Sequence, residues 1–305
     1  MAITSEHAID AANEVFGRHR GFRALHAKGT LCKGTFTAAP EAAGLTRAAH
    51  MQGGPVPANI RLSNGSGNPE HPDFNPDVRG LAVKIYLPDG TRTDIVAQSA
   101  PRFPARTPEA FVELLRASEP GPAALWRMPW FLVRNPHAIG GLPANLPALK
   151  PPSSYASIPY YAIHAYRWLA ADGGDRFVRY TFVPESPEGR ISAREAKRRG
   201  ADYLQDELRA RLERGPVRFT LELQVATPGD NVEDPTAQWP AGRRRIAAGT
   251  LEVTGLETER EHGDDIVVFD PTRVTDGIEL SADAILQFRA GAYGASVARR
   301  TPGAG

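Results

Sequence analysis

The sequence predicts an α+β fold with a closed or strongly curled antiparallel sheet, in one domain spanning residues 1–305. Two hairpin signals support this prediction, because the turn-forming residues 88–90 and 171–174 each separate two strand-like runs. Helical patterns stand between groups of strands, an arrangement typical of α+β proteins. With 41% hydrophobic and 23% charged residues, the chain has enough apolar side chains for a large globular core.

The N-terminal part is predicted to begin with a helix and continue as strands. Residues 5–16 carry apolar side chains at helical spacing behind Ser5, the predicted N-cap. Residues 34–37 are strand-like, and residues 59–65 resemble a strand that runs into a loop rich in Gly, Asn and Pro. This part is therefore expected to supply the first strands of the sheet.

The first hairpin is predicted from residues 81–87 and 93–98, on either side of the turn. Thr107 followed by Pro108 is a typical N-cap and first helical residue, so a one-faced helix is expected next. Residues 119–159 are rich in proline and contain Trp126, Trp130 and Phe131. We expect ordered irregular structure there, packed by these aromatic side chains.

The C-terminal half is predicted to alternate strands and helices. Strands are expected at 160–169, 176–183, 219–225 and 249–253, and one long helix is expected to run from its cap at Ser192 to Gly215. A last helix, capped by Ser281, carries Arg289 and Tyr293 four residues apart on one face.

Charge and cysteine content narrow the class of protein. The net charge of +1, from 36 basic and 35 acidic residues, gives no reason to expect a nucleic acid or a membrane as partner. The single cysteine, Cys32, excludes an intramolecular disulfide or a cysteine-based zinc site, and a small buried hydrophobe is its expected role. The start of the chain has no signal-peptide pattern and no apolar run is long enough to span a bilayer. A cytoplasmic enzyme is expected.

Two residues carry candidate chemistry. His26, between Leu25 and Ala27 at the start of the sheet, is either a core histidine that bonds a neighbouring carbonyl or a general acid and base. Tyr293 is either a core tyrosine beside a packed arginine or an anionic ligand, since the positive charge of Arg289 favours the phenolate. The residues alone leave both alternatives open.

Five stretches resemble the haem catalase family and occur in the same chain order. The region of similarity runs from about residue 13 to 300. Because few residues precede His26 or follow Tyr293, the chain most resembles the small catalase-related peroxidases. The stretches are residues 25–29 (the distal histidine segment), 61–63, 77–84, 94–111 and 285–300 (the proximal segment).

The resemblance implies a catalase-like antiparallel β-barrel core with surrounding helices, without the long N-terminal arm and C-terminal extension of full-length catalases. Two positions depart from the family. Gln98 stands where the family usually has asparagine, which lengthens the amide by one methylene. Of a usual phenylalanine pair, Phe103 is retained and its neighbour is Pro104.

The resemblance also implies the site. His26 is expected to move a proton between the oxygens of the peroxide, with Ser63 fixing the imidazole and Gln98 holding the peroxide. On the other haem face, Tyr293 is the expected iron ligand and Arg289 the group that keeps it ionised. The remaining haem contacts are expected from Phe103 and Phe111, and from Arg23, Arg61 and Arg300 at the propionates.

The expected function is that of a haem b peroxidase, which cleaves hydrogen peroxide heterolytically to a ferryl intermediate and oxidises a small organic electron donor. A predominant catalase is the first alternative. A fatty acid hydroperoxide isomerase, which needs an apolar tunnel, and a non-enzymatic haem protein, which does not need His26, Ser63 and Gln98, remain open. With only 25 residues before His26, a homodimer is expected rather than an interlocked tetramer.

Overall fold

The computed structural model describes residues 3–119, 121–258 and 267–300, and its centre is an antiparallel sheet. The strands are β1 Gly29–Ala38, β2 Pro55–Asn64, β3 Arg79–Tyr86, β4 Arg92–Gln98, β5 Tyr160–Leu169, β6 Asp175–Pro184, β7 Val217–Val225, β8 Arg245–Leu256 and β9 Ile278–Leu280. Both predicted hairpins form, as β3 with β4 and β5 with β6. The short turns between these strands favour antiparallel neighbours.

Eight of these strands close into a barrel. Each strand from β1 to β8 pairs antiparallel with the next, and β1 also pairs with β8. The β4 to β5 junction is a single pair, Gln98 with Tyr161, and β9 extends the sheet beyond β5. The prediction of a closed or strongly curled antiparallel sheet is confirmed. Alternating apolar residues fill the centre, including the fully buried Leu62, Leu81 and Leu251.

Helices lie between the strands and at both ends of the described chain. They are α1 Ser5–Phe16, α2 Pro40–Ala43, α3 Pro108–Ala117, α4 Ala124–Arg134, α5 Pro136–Asn145, α6 Ala193–Arg199, α7 Tyr203–Arg214 and α8 Ala284–Arg300. Three short 3-10 helices span Ala49–Met51, Leu146–Leu149 and Tyr155–Ser157. Within the described ranges, no helix combines the length and the apolar character that crossing a membrane requires.

Two helix caps differ from the sequence-based expectation. Helix α1 begins at Ser5, but its cap is Thr4, whose hydroxyl accepts the His7 N–H. Helix α8 is capped by Asp283 rather than Ser281, because one oxygen of its carboxylate accepts the N–H groups of Ile285 and Leu286. A carboxylate is the stronger acceptor at the positive end of a helix. The Thr107 cap of α3 forms as predicted.

The expected long helix from Ser192 is instead two helices. Ser192 caps α6 as predicted, but the chain turns at Gly200, whose φ of 106° no helical residue adopts. Helix α7 then ends at Gly215 as expected. The glycine in the middle of an apolar helical pattern was the signal for this break.

The proline-rich region 119–159 is more regular than expected. It forms α4, α5 and two of the 3-10 helices, with Pro136 at the first turn of α5, where proline is compatible with a helix. Phe131 is buried as predicted, but Trp126 and Trp130 are exposed. The expectation that all three aromatic side chains pack this region is therefore wrong for both tryptophans.

Candidate active site

His26 lies just before β1 in a left-handed backbone conformation. Its φ is 55°, which is uncommon for any residue but glycine. Three hydrogen bonds hold this turn: the His26 N–H donates to the Gly65 carbonyl at 3.0 Å, and the two terminal nitrogens of Arg61 donate to the carbonyls of His26 and Ala27 at 2.9 and 3.1 Å. The backbone thus fixes where the imidazole points.

The imidazole rests in a gap of the barrel wall. Its Nδ1 shares a hydrogen bond of 3.1 Å with the Ser63 hydroxyl. Gly80, the partner of Ser63 on β3, makes the gap, because a Cβ there would lie 2.7 Å from both His26 Nδ1 and Ser63 Oγ. Any larger residue at this position would displace the histidine or the serine.

Gln98 lies on the same face of the barrel as Ser63. Both residues pair with Gly80, one on each side, and directly opposed residues of antiparallel strands point to the same face. Two strand spacings of ~4.8 Å separate their backbones. The Gln98 amide donates one N–H to the Ala100 carbonyl at 3.1 Å. The same nitrogen lies 3.5 Å from the Arg102 carbonyl, so the amide oxygen is the group best placed to hold a substrate.

His26 is neutral at physiological pH. Its pKa is lowered to about 3, first by burial and then by the positive charges of Arg61, Arg289 and Arg23 in that order of effect. Three arginines from separate parts of the chain therefore act on one imidazole. Since Arg289 belongs to α8, the distal histidine and the predicted proximal helix border the same space.

The predicted propionate arginines differ in their surroundings. Arg23 donates to the Val267 carbonyl at 3.0 Å. The guanidinium of Arg61 fits against β1 because residue 29 is glycine: a Cβ there would lie 2.8 Å from its Cζ and Nη1. Arg300 is the last residue of α8, and its side chain lies outside the described residues.

The two predicted phenylalanines contact each other. Phe103 precedes α3 and Phe111 lies on it, with ring centroids 5.2 Å apart and ring planes at 31°. Offset rings at this distance attract one another and present a flat apolar surface. Both residues follow β4, the strand that ends with Gln98.

Four buried or half-buried side chains form a continuous chain of hydrogen bonds on the proximal side. Arg289 donates through Nη2 to the Tyr293 hydroxyl at 2.6 Å and through Nη1 to His164 Nε2 at 3.0 Å. His164 Nδ1 bonds the Asp283 carboxylate at 2.7 Å. Because arginine only donates, Nε2 of His164 must accept, and its hydrogen therefore lies on Nδ1.

The electrostatics of this chain favour a charged arginine beside the phenol. Burial opposes the charged form of Arg289, but Tyr293, Tyr166 and Asp270 together outweigh burial and raise its pKa. Burial lowers the pKa of His164 despite the Asp283 carboxylate, so this imidazole stays neutral and Arg289 carries the charge. The arrangement allows Tyr293 to act as an anionic ligand.

Sequence reasoning missed His164 and Asp283. His164 lies where β5 shifts its register against β6, between Ala162 and Tyr166, and such irregularities often redirect a side chain beside an active site. No local sequence pattern predicts this bulge. Asp283 had a signal, because an aspartate two residues before an apolar helical run is a good N-cap.

Comparisons with known proteins agree with this geometry. The family model described as Catalase matches residues 3–304. A catalase-related peroxidase of Mycolicibacterium paratuberculosis is 50% identical over 98% of this chain and 95% of its own, and one of Synechococcus elongatus is 31% identical over 99% and 90%. A solved fungal catalase superposes with a TM-score of 0.82 at 22% identity, over 96% of this chain and 62% of its own.

Proposed function

We propose, from the premise that this chain belongs to the catalase family, that it is a haem b peroxidase in which an organic molecule supplies the electrons. The family and the relatives named catalase-related peroxidase make it a haem-dependent oxidoreductase that acts on peroxide. One observation carries the finer proposal: a neutral imidazole, fixed by Ser63, borders the same space as the Arg289 to Tyr293 hydrogen bond.

The residues around this space fit a haem. Tyr293 offers an oxygen already bonded to a cation, which favours the phenolate that an iron ligand requires. Arg23 and Arg61 place positive charge near His26, which suits the anionic propionates. The tilted pair of Phe103 and Phe111 offers an apolar surface for a porphyrin. When bound, the haem supplies an iron that binds one peroxide oxygen and the electrons that break the O–O bond.

His26 acts as the acid and base of the reaction. When its Nδ1–H donates to Ser63, Nε2 is free to take a proton from one oxygen of the peroxide. The same nitrogen then gives this proton to the other oxygen, which already carries one hydrogen and leaves as water. The low pKa of His26 favours the return, because the charged imidazolium is unstable in this buried position.

Gln98 orients the peroxide, and Arg289 sets the charge of Tyr293. The Gln98 amide nitrogen donates to the carbonyls of Ala100 and Arg102, which fixes the direction of the amide oxygen that accepts from the peroxide. On the other side, Arg289 donates to both His164 and Tyr293, so its positive charge lies directly beside the phenol oxygen.

The assembly and location complete the proposal. The protein acts in the cytoplasm and forms a homodimer. Two-fold dimers are the commonest closed assembly, and a net charge of +1 opposes association only weakly. Light scattering of the purified protein measures the oligomeric state. A stable tetramer would contradict the dimer.

Parallel assays test the donor. Oxidation of an aromatic one-electron donor and release of oxygen are measured at the same low hydrogen peroxide concentration, with the purified holoenzyme. Donor oxidation is expected to be the faster process. Rapid oxygen release without donor oxidation would favour a catalase, and conversion of a fatty acid hydroperoxide without a donor would favour an isomerase. Extraction of the pigment and its pyridine spectrum identify the haem type.

A further inference from the structure

Helix α4, helix α5 and the 3-10 helix Leu146–Leu149 present one exposed apolar surface, here called the α4 face. On α4, Leu125 is 83% exposed, Val133 70%, Trp126 63% and Trp130 57%. Across the described parts of the chain, every large hydrophobic side chain that is exposed lies between residues 125 and 149. The α4 face is therefore a concentrated surface and not a scatter of single apolar residues.

The α4 face is larger than a monomer usually exposes. Its eight exposed apolar side chains amount to roughly 800 Å², if a full Trp side chain offers ~250 Å² and a full Leu, Ile or Val side chain ~150 Å². The largest apolar patch of a typical monomer is about 300–600 Å². One partner of a standard protein interface contributes about 800 Å². The area matches the share of one subunit in a stable dimer.

The α4 face has both a recess and protruding side chains. A groove of about 380 Å³ lies between α3 and α4, and Trp126 and Trp130 form one side of it. Its other lining residues are the apolar Ile3, Val112 and Ala117 and the charged Glu109, Glu113, Arg116, Arg127 and Arg134. Beside it, Leu125 stands almost fully in solvent. A two-fold interface requires a surface that fits its own copy, and a protruding leucine next to an aromatic groove meets that requirement.

The charges around the α4 face are neutralised within the subunit. Arg127 pairs with Glu119 at 2.6 Å, and Arg134 pairs with Glu113 at 3.2 Å. Two copies can therefore approach without opposing like charges. An anionic lipid surface would gain little from arginines that already have carboxylate partners. These ion pairs favour a second copy of the chain over a membrane.

We propose that the α4 face is the interface of a two-fold homodimer, in which Leu125 of each subunit enters the groove beside Trp126 and Trp130 of the other. This inference rests on the proposed homodimer and names the surface that forms it. Tryptophan is among the residues that contribute most to protein interfaces, and two of the exposed side chains here are tryptophans that line the groove.

The test is the double variant Leu125→Glu/Val133→Glu of the holoenzyme, with Ala210→Glu as control. Ala210 is an exposed helical residue on α7, outside the α4 face. Unpaired carboxylates in a desolvated interface should raise the dimer dissociation constant at least ~100-fold, whereas the control should leave it unchanged. Light scattering over a concentration series gives the constants, and haem content and circular dichroism show that each variant folds.

A second measurement does not depend on weakening the dimer. Cys32 is buried, so Leu125→Cys places one accessible thiol on the α4 face. A short bis-maleimide should link two such subunits, and it should not link Ala210→Cys. The wild type could be a dimer while the glutamate variant keeps its dissociation constant and the cysteine variant is not linked. In that case the homodimer is correct, but the α4 face is not its interface.

The remaining outcomes separate the two claims. A monomeric wild type overturns both the homodimer and its interface. If that monomer also sediments with vesicles containing phosphatidylserine, and Leu125→Glu/Val133→Glu abolishes sedimentation, the α4 face binds a membrane surface instead.

Discussion

The two sides of the active site are held in place by different interactions. On the distal side, the His26 imidazole bonds the Ser63 hydroxyl, and its position comes from a left-handed backbone and the space beside Gly80. On the proximal side, three consecutive side-chain hydrogen bonds connect Asp283 to Tyr293. The distal side depends on backbone shape, and the proximal side depends on charge.

This difference suits the two tasks. A general base must be neutral before it accepts a proton, and burial together with the charges of three arginines keeps His26 neutral. A ligand that must stay ionised needs a permanent cation, which Arg289 provides. Substitutions on the proximal side should therefore alter haem binding, and substitutions on the distal side should alter the rate of reaction with peroxide.

The largest expected effect is that of Tyr293→Phe on haem retention. This change removes the iron ligand and the acceptor of the Arg289 hydrogen bond, so the purified variant should be almost free of haem. Tyr86→Phe, on β3, is the control because it removes a phenol that bonds Asn59. Haem per chain is measured from the pyridine spectrum. Full occupancy with an unchanged spectrum would show that Tyr293 is not the ligand.

The next effect separates binding from chemistry. His26→Ala should keep haem but slow the reaction with peroxide by at least ~100-fold, the scale of a lost general acid and base. His26→Asn provides a second variant, since asparagine tolerates the left-handed backbone better than alanine. Stopped-flow absorbance gives the rates, and the exposed His7→Ala is the control. A rate near that of the wild type would make His26 a core histidine.

Gly80→Ala tests whether backbone shape positions the distal base. The new methyl group would lie 2.7 Å from both His26 Nδ1 and Ser63 Oγ, so one of them must move. A displacement of about 1 Å in a reacting group costs up to ~100-fold in rate, and we expect a loss of about 10–100-fold with haem retained. Gly255→Ala is the matched control in β8, where the nearest atom is 3.5 Å away. Equal rates for the two variants would refute the role of the gap.

The parts of the site that sequence could predict are those encoded locally. Arg289 and Tyr293 are four residues apart on one helix, and the turn residues at 88–90 and 171–174 predict their hairpins. His164 could not be predicted, because it meets Asp283 and Arg289 only across 119 and 125 residues, through a bulge with no local signal.

The closure of the barrel and the left-handed backbone of His26 could not be predicted from the sequence either. The barrel closes through β1 with β8 and through the single pair Gln98 and Tyr161, and neither contact follows from a turn. The left-handed conformation of His26 results from hydrogen bonds to Gly65 and Arg61, which are distant in sequence. Residues 119–159 were expected to be irregular because their prolines are typical of loops, but α4 and α5 contain prolines within the helix.

A smaller effect is expected from Asp283→Asn on the proximal side. Asparagine has one acceptor oxygen, so it can cap α8 or accept the His164 hydrogen bond but not both, and the negative charge is lost as well. Outer partners of a metal ligand typically contribute 10–100-fold to affinity, and we expect haem to dissociate about 10-fold faster. Asp276→Asn is the control, because this exposed carboxylate pairs with Arg47 outside the site. Transfer of haem to apomyoglobin measures the rate. A slower distal reaction at full haem occupancy would instead show that the two sides are coupled.

The smallest effect concerns pH and tests whether His26 is neutral in the folded protein. In the unfolded chain its pKa returns to about 6.5, whereas in the folded protein it is about 3. Between these values the unfolded chain binds a proton that the folded chain does not, so this contribution makes the free energy of unfolding fall as the pH is lowered. The slope from one histidine is about 1.4 kcal/mol per pH unit. Urea unfolding of the apoprotein between pH 6 and 4.5 should therefore show a weaker pH dependence for His26→Gln than for the wild type. The same slope in both proteins would mean that His26 is protonated in the folded state, and the distal side would then also depend on a charged partner.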